Sequence, residues 1–419
     1  MKTALLLFTV LTAGAAFGQK PSAWLNEVLP SWLQFSGEYR ARLEGFENGG
    51  FKPNDSDMYG LSRLRLNARI QPSKWLRLIG QTQDARVFWN DYVAAAPPYQ
   101  NTFDLRLAYA EVGAGDGPFT LRVGRQELDF GEQRLLGSLP WTNVTRSFDA
   151  VRATFRSPGY RLDAFASSVV VAQDGSFDHH LQGSNLHGLY GGLEKLIPNA
   201  VVEPYVFWRV ASRQKLDTKT GGVRWVGKLP ARFDYGVEIA LQRGDIAASV
   251  VNAWAGHWVA GRTFAGAWQP RAFLEFNYAS GDRDPHDAKT ETFDPLYPTG
   301  HDKLGLADQV GWRNIRDLRF GVEAKPAKTL KASLVGHSWH LANATDGLYN
   351  AAGTSIARKA DGSAGTHVGE EVDAQGVWSV NKQIQLGAGI GHIFPGEFLK
   401  RATPGRPYTF PYLMVAWAF

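Results

Sequence analysis

The residues with the most chemistry in this 419-residue chain are arginines set two apart. Arg63, Arg65 and Arg69 alternate with Leu64, Leu66, Ala68 and Ile70, and Asp104 and Arg106 alternate with Phe103, Leu105, Leu107 and Tyr109. Further on, Asp317, Arg319 and Glu323 alternate with Leu318, Phe320 and Val322. A period of two is that of an extended strand, whose successive side chains point to opposite faces. Arg152 joins this charged set, while Arg125, Arg134 and Arg146 lie in the same region near expected strand ends. A guanidinium keeps its charge at any ordinary pH and offers a fork of donors that matches a carboxylate. Rows of it predict a path for anions. The competing reading is bracing, in which these arginines pair with Glu38, Glu111, Asp104 or Asp149 on neighbouring strands.

Positioning such rows requires many strands, and the chain supplies about 18 alternating segments of membrane-strand length. They run over 35–46, 59–71, 75–87, 102–113, 119–130, 147–156, 160–172, 187–196 and 200–212. The remainder are 219–229, 232–242, 246–264, 271–281, 315–326, 329–340, 367–380, 383–394 and 408–419. Tight connections such as Pro72-Ser73-Lys74, Ser157-Pro158-Gly159 and Pro326-Ala327-Lys328 alternate with mostly long polar ones at 47–58, 88–101, 131–146, 173–186, 282–314, 341–366 and 395–407. The last strand places Leu413, Val415, Trp417 and Phe419 on one face, and it resembles the closing strand of a bacterial outer-membrane barrel. The expected fold is an all-β, transmembrane antiparallel β-barrel of about 18 strands, with short periplasmic turns and long extracellular loops. An arginine facing lipid near the midplane costs roughly 2–4 kcal/mol, so the charged face is expected to line the lumen. So many strands enclose a channel too wide for side chains alone to fill, which predicts a wet conduit unless a loop plugs it. A soluble sandwich or propeller has shorter strands and no reason for alternate loops to be long.

Residues 1–18 read as a signal peptide, with Lys2, an apolar run from Ala4 to Val10 and the small residues Ala13 to Gly18. Residues 19–34 form a periplasmic N-terminal segment and 35–419 the barrel. The absence of cysteine removes disulfides, thiolate metal sites, Cys nucleophiles and a lipoprotein anchor. The balance of 45 basic and 40 acidic residues leaves +5, with the basic groups dispersed among strands rather than clustered, so nucleic-acid binding is not expected.

The block Leu121-Arg122-Val123-Gly124-Arg125-Gln126-Glu127-Leu128-Asp129-Phe130-Gly131-Glu132-Gln133-Arg134-Leu135, with Trp141, Asn143 and Arg146-Ser147-Phe148-Asp149-Ala150, resembles the alginate-export family of outer-membrane barrels. Arg63-Leu64-Arg65 and Tyr278-Ala279-Ser280-Gly281-Asp282 add to the resemblance. It implies a monomeric barrel in the cell outer membrane, with an electropositive constriction that passes an acidic polysaccharide outward in concert with a periplasmic export scaffold. Matched position by position, it implies Arg65, Arg125 and Arg146 as constriction residues and Glu127 and Asp149 as their acidic partners. Continuing the alternation from Leu121 and Val123 puts Arg125 on the lipid face, so a β-bulge near Gly124 is expected to reset the phase.

The expected function is therefore an outer-membrane channel for an anionic polysaccharide or oligosaccharide, without catalysis or cofactor. The alternative is a general or small-organic-anion porin for uptake, with 282–314 folded inward as an eyelet. A membrane-embedded enzyme or a structural barrel is the reading from another class, and the enzyme requires an inward Ser, His and acid in contact. Gly336-His337-Ser338 lacks the second glycine and the strand-to-helix turn of a nucleophile elbow. His179 and His180 lack a spaced third metal ligand. The acids of Gly281–Asp287 surround Arg283 and have no EF-hand spacing, so a solvated loop is favoured over a calcium site. Tryptophans 24, 32, 75, 225, 268, 312 and 417 are assigned to the interface girdles.

Overall fold

Period-two patterning closes into one continuous wall in the computed structural model, which describes residues 21–113 and 117–419. The expected signal peptide lies outside the described residues. A short helix, Pro21–Val28, precedes the first strand and is tied to it by Asn26, whose amide brackets the main chain of Phe35 with two 2.8 Å hydrogen bonds. No described helix is long and apolar enough to cross a membrane.

The strands are β1 (Leu33–Phe46), β2 (Asp57–Ser73), β3 (Leu76–Phe88), β4 (Asn101–Val112), β5 (Phe119–Gln126), β6 (Phe148–Ser157) and β7 (Tyr160–Val171). They continue with β8 (His179–Leu193), β9 (Ala200–Ala211), β10 (Leu216–Leu229), β11 (Phe233–Ile246), β12 (Ser249–Thr263), β13 (Arg271–Ala279) and β14 (Lys289–Thr290). The rest are β15 (Ile315–Ala327), β16 (Leu330–Leu341), β17 (Gly347–Tyr349), β18 (Ser355–Arg358), β19 (His367–Ser379), β20 (Ile384–Pro395) and β21 (Tyr408–Ala418). Two-residue β14 pairs parallel with β12, and β17 with β18 forms a separate hairpin. The other eighteen pair antiparallel in chain order, and β21 returns to β1, with Glu38 opposite Ala418 and Glu44 opposite Tyr412. A closed barrel leaves no strand edge unpaired in lipid.

The outer face carries exposed apolar side chains such as Leu66, Leu241, Leu274 and Phe320. The described connections alternate between tight turns, such as 74–75, 158–159 and 328–329, and the long excursions 127–147, 280–314 and 342–366. Tight turns mark the periplasmic end in barrels of this kind. Two connections at the other end, 212–215 and 247–248, are also short. There 280–314 crosses the rim instead: Val250 donates to Ala288 O at 2.9 Å, and β14 lies beside β12.

Three expectations about the strands need correction. The strand expected over 119–130 stops at Gln126, because the chain then leaves the wall for the lumen. The strand expected from 187 begins at His179, so the long loop expected at 173–186 shrinks to 172–178. In β4, Leu107 lies opposite Gln81 and Leu105 opposite Thr82, leaving Arg106 as an extra residue. That bulge shifts the phase, so Leu107 is only 7% exposed and Tyr109 packs inside against Arg122, 4.5 Å from its ring centroid.

The buried apolar core lies inside the barrel. Phe130, Leu135 and Leu136 from 127–147 pack with Leu296, Leu304 and Leu306 from 280–314 in one cluster. The wide wet lumen expected from strand number is thus narrowed by two inward excursions, 127–147 and 280–314, drawn from the connections expected to be long and extracellular.

Candidate functional site

The excursion 127–147 touches the wall on opposite sides. Phe130 stacks between β7 and β8, 5.5 Å from Phe165 and 4.8 Å from Tyr190 between centroids. Arg224 of β10 donates to Glu132 at 3.1 Å, and Arg134 donates to Glu275 of β13 at 2.9 Å. Burial alone would raise the Glu132 carboxyl, but Arg134, His257 and Arg224 hold it down at about 2. The chain then returns across the lumen. Arg40 of β1 donates to the carbonyls of Pro140, Trp141 and Thr142 at 2.9 Å each, and Arg63 of β2 donates to Pro140 and Thr142 at 3.2 and 3.1 Å. Arg65 reaches Thr145 Oγ1 at 2.8 Å, and Arg106 of β4 donates to the same oxygen. β4 and β13, the fourth and thirteenth strands of the eighteen, are half a circumference apart.

The second excursion, 280–314, is held largely by acids. Glu371 accepts the amide of Ala307 at 2.9 Å and Asp373 that of Leu306 at 3.1 Å, both from β19. Asp294 accepts from Arg313 at 2.9 Å and from Arg209. The two excursions join where Tyr297 N donates to Leu135 O and Gly137 N to Tyr297 O, each at 2.9 Å. Arg146 donates to the carbonyls of Gly137, Tyr297 and Pro298 at 2.9, 2.6 and 3.1 Å. Burial pulls its guanidinium down to about 10, which leaves it charged at neutral pH. A cavity of about 420 Å³ remains between the excursions and β1, lined by Arg42, Tyr59, Trp141, Arg146 and Asp308 among others.

The remaining sequence-predicted residues divide by location. Arg106 also pairs with Glu127. Arg152 and Arg161 share Asp163 at 2.8 and 2.6 Å, as Arg77 and Arg122 share Glu111 at 2.9 and 2.6 Å. Arg69 is exposed and bonds to Gln71. Arg319 pairs with Glu275 at 2.7 Å, and Asp317 is fully buried against His337 at 3.0 Å. Ser338 follows His337 on β16 and so points to the opposite face, which breaks the Ser–His pair a hydrolase reading requires.

Arg125 lies apart from this set. The registers of β5 with β4 and with β6 run without a break, and Gly124 adopts φ 122° without the bulge expected there. Arg125 therefore keeps the outward phase of Val123. It forms a bidentate pair with Asp149 at 2.8 and 3.2 Å, and Asp149 shares its face with exposed Val151. Trp312, assigned to a girdle, is instead buried in the lumen core, 5.8 Å from Arg134.

Arg40 and Arg42 were missed. Their signal was the same alternation, Glu38, Arg40, Arg42 and Glu44 across β1, with Tyr39, Ala41 and Leu43 between. Among the described residues, no group of three or more His, Asp or Glu converges to hold a metal ion.

A closed eighteen-strand wall, an apolar outer belt and loops folded into the lumen define a channel protein of the bacterial outer membrane. The chain belongs to the alginate-export family, whose model matches residues 31–409. Its fold is similar to that of Pseudomonas aeruginosa OccD3 (OpdP), at 10% identity over 92% of this chain and 91% of that one, with a TM-score of 0.63. It is similar to P. aeruginosa OpdK, at 10% identity over 92% and 99% with a TM-score of 0.62, and to OpdK determined with vanillate, at 11% over 92% and 98% with 0.61. No curated protein sequence matches the chain.

Proposed function

We propose that the channel passes an anionic polysaccharide or oligosaccharide along the side of the lumen built from β1 to β7. The supporting observation is an excess of guanidinium over carboxylate there. Glu111 and Asp163 each serve two arginines. Arg40, Arg65 and Arg146 bond to carbonyl, amide and hydroxyl oxygens, with no carboxylate within 4.0 Å among the described residues. Neutral oxygens satisfy the donors but leave the charge, so a uronate carboxylate finds attraction spread over several modest sites, from which it can also leave. The path works as a monomer, with no chemistry of its own, and meets a periplasmic export scaffold at the tight-turn end.

The test is the reversal potential of the purified protein in a planar bilayer under a salt gradient, with and without polyuronate. Anion preference with polyuronate block is expected, and Arg65→Ala with Arg146→Ala should reduce both. Cation preference, or selectivity indifferent to both substitutions, would reduce the arginines to bracing.

A second reading, uptake of small organic anions, is favoured by the inward course of 280–314 and by the fold shared with a protein whose structure holds vanillate, a small carboxylate. Vesicle swelling separates the two: permeation by monocarboxylates without polyuronate block supports uptake.

A further inference from the structure

The lipid-facing side of the wall carries an unexplained row of cations linked by strand register. Cα partners across successive strands run from His187 on β8 to Trp208 on β9, Lys219 on β10, Arg243 on β11 and Asn252 on β12. Beyond Trp254, whose indole stacks on Tyr278 at 4.3 Å, the register resumes from Tyr278 on β13 to Arg316 on β15, His340 on β16 and His367 on β19. Lys219, Arg243 and Arg316 are exposed, and their inward neighbours Thr218, Gln242 and Asp317 are buried, which fixes the row on the outer face. Trp208 and Trp254 are exposed at 42% and 40% beside it.

The height follows from β11. Phe233, Tyr235, Val237, Ile239 and Leu241 precede Arg243 on the same face. Ten residues at about 3.3 Å each, inclined by roughly 40°, rise about 25 Å, the height of the apolar belt. Arg243 therefore stands where acyl chains give way to headgroups on the extracellular side. The row is also short of carboxylates. Asp217 and Asp245 lie two residues farther out, Asp217 accepting Trp208 Nε1 at 2.7 Å, and Glu370 accepts from His367 at 2.7 Å. Arg243 donates to the carbonyls of Gln242 and Ala253 and Arg316 to that of Leu341, and among the described residues neither has a carboxylate within 4.0 Å.

We propose that this row binds the phosphate groups of an anionic glycolipid in the outer leaflet, with Lys219, Arg243 and Arg316 as the charged contacts and the indoles of Trp208 and Trp254 against its sugar and acyl junction. Arginine forks suit phosphate, and basic residues at the membrane surface attract anionic headgroups. The row lies outside the lumen and is independent of cargo.

The test uses the full-length protein in phosphatidylcholine nanodiscs doped with bis-phosphorylated lipid A or with its dephosphorylated form, with retained glycolipid read by native mass spectrometry. The wild type should retain the phosphorylated form selectively. Lys219→Gln, Arg243→Gln and Arg316→Gln should each weaken retention about fivefold and together on the order of a hundredfold. Equal retention of the two forms, or a preference that survives the triple substitution, overturns the proposal. Should the triple variant fail to insert, the single Arg243→Gln variant and the salt dependence of wild-type retention decide the same question: no loss in either overturns it.

Discussion

Arg42 grips Trp141 twice, donating to its carbonyl at 2.5 Å while the guanidinium lies 4.1 Å from the indole centroid. His301 stacks on the indole at 4.0 Å with the planes 4° apart, and Asp308 orients that imidazole at 2.9 Å. One ring therefore joins β1 to both inward excursions.

Trp141→Ala removes the sandwich and keeps the main-chain bonds. Desolvated cation–π contacts are worth about 2 kcal/mol, so the excursion should stay docked but fluctuate. Single-channel recordings should show higher open-channel noise and a rise in conductance. An unchanged trace would mean that the carbonyl clamp alone holds the loop.

Glu371→Ala leaves the buried amide of Ala307 without its acceptor. Leaving a buried donor unsatisfied costs about 1–3 kcal/mol, so hydrogen exchange at 304–309 should accelerate by about tenfold to a hundredfold while β19 stays protected. Equal acceleration in β19 would indicate damage to the wall instead.

Acid should act oppositely on two loops. Glu132, held near 2 against its ordinary 4.5, favours the docked excursion fully above about pH 4.5 and loses that contribution as the pH falls toward 2. Asp178, raised to about 6 by burial and by the neighbouring Asp104 carboxylate, favours the folded 172–178 loop below about 3.8 and loses that contribution as the pH climbs through 6. Exchange rates corrected for intrinsic pH dependence should show 172–178 tightening between pH 7 and 5 while 130–135 is unchanged. Loosening of 130–135 in that window would contradict the Glu132 assignment.

Excising 296–306 removes Leu296, Leu304 and Leu306 from the lumen core. Conductance in planar bilayers should rise several-fold. If it does not, the excursion is no part of the constriction.

The wall was legible because lipid punishes any lapse in alternation. Leu64 and Leu66 against Arg63 and Arg65 give the face of β2 from two chemistries at once. Where the period slips, as at Arg106, no local signal announced the bulge, because Leu107 and Tyr109 suit either solvent. The interior was not legible for a different reason. Pro140, Trp141 and Thr142 are held through main-chain carbonyls, which every residue possesses, so their side chains carry no trace of the arginines that bind them. Arg125 was misplaced because a resemblance matched by position says nothing of the face a side chain takes.

The excursion fixed at Glu275 on one side and at Arg65 and Arg106 on the other has a mechanical consequence. An empty eighteen-strand hoop flattens easily under lateral pressure, since ovalisation bends the sheet and breaks no hydrogen bond. A strut across the diameter must be stretched or crushed for the outline to change. A load acting across that diameter then falls on charged hydrogen bonds inside the channel.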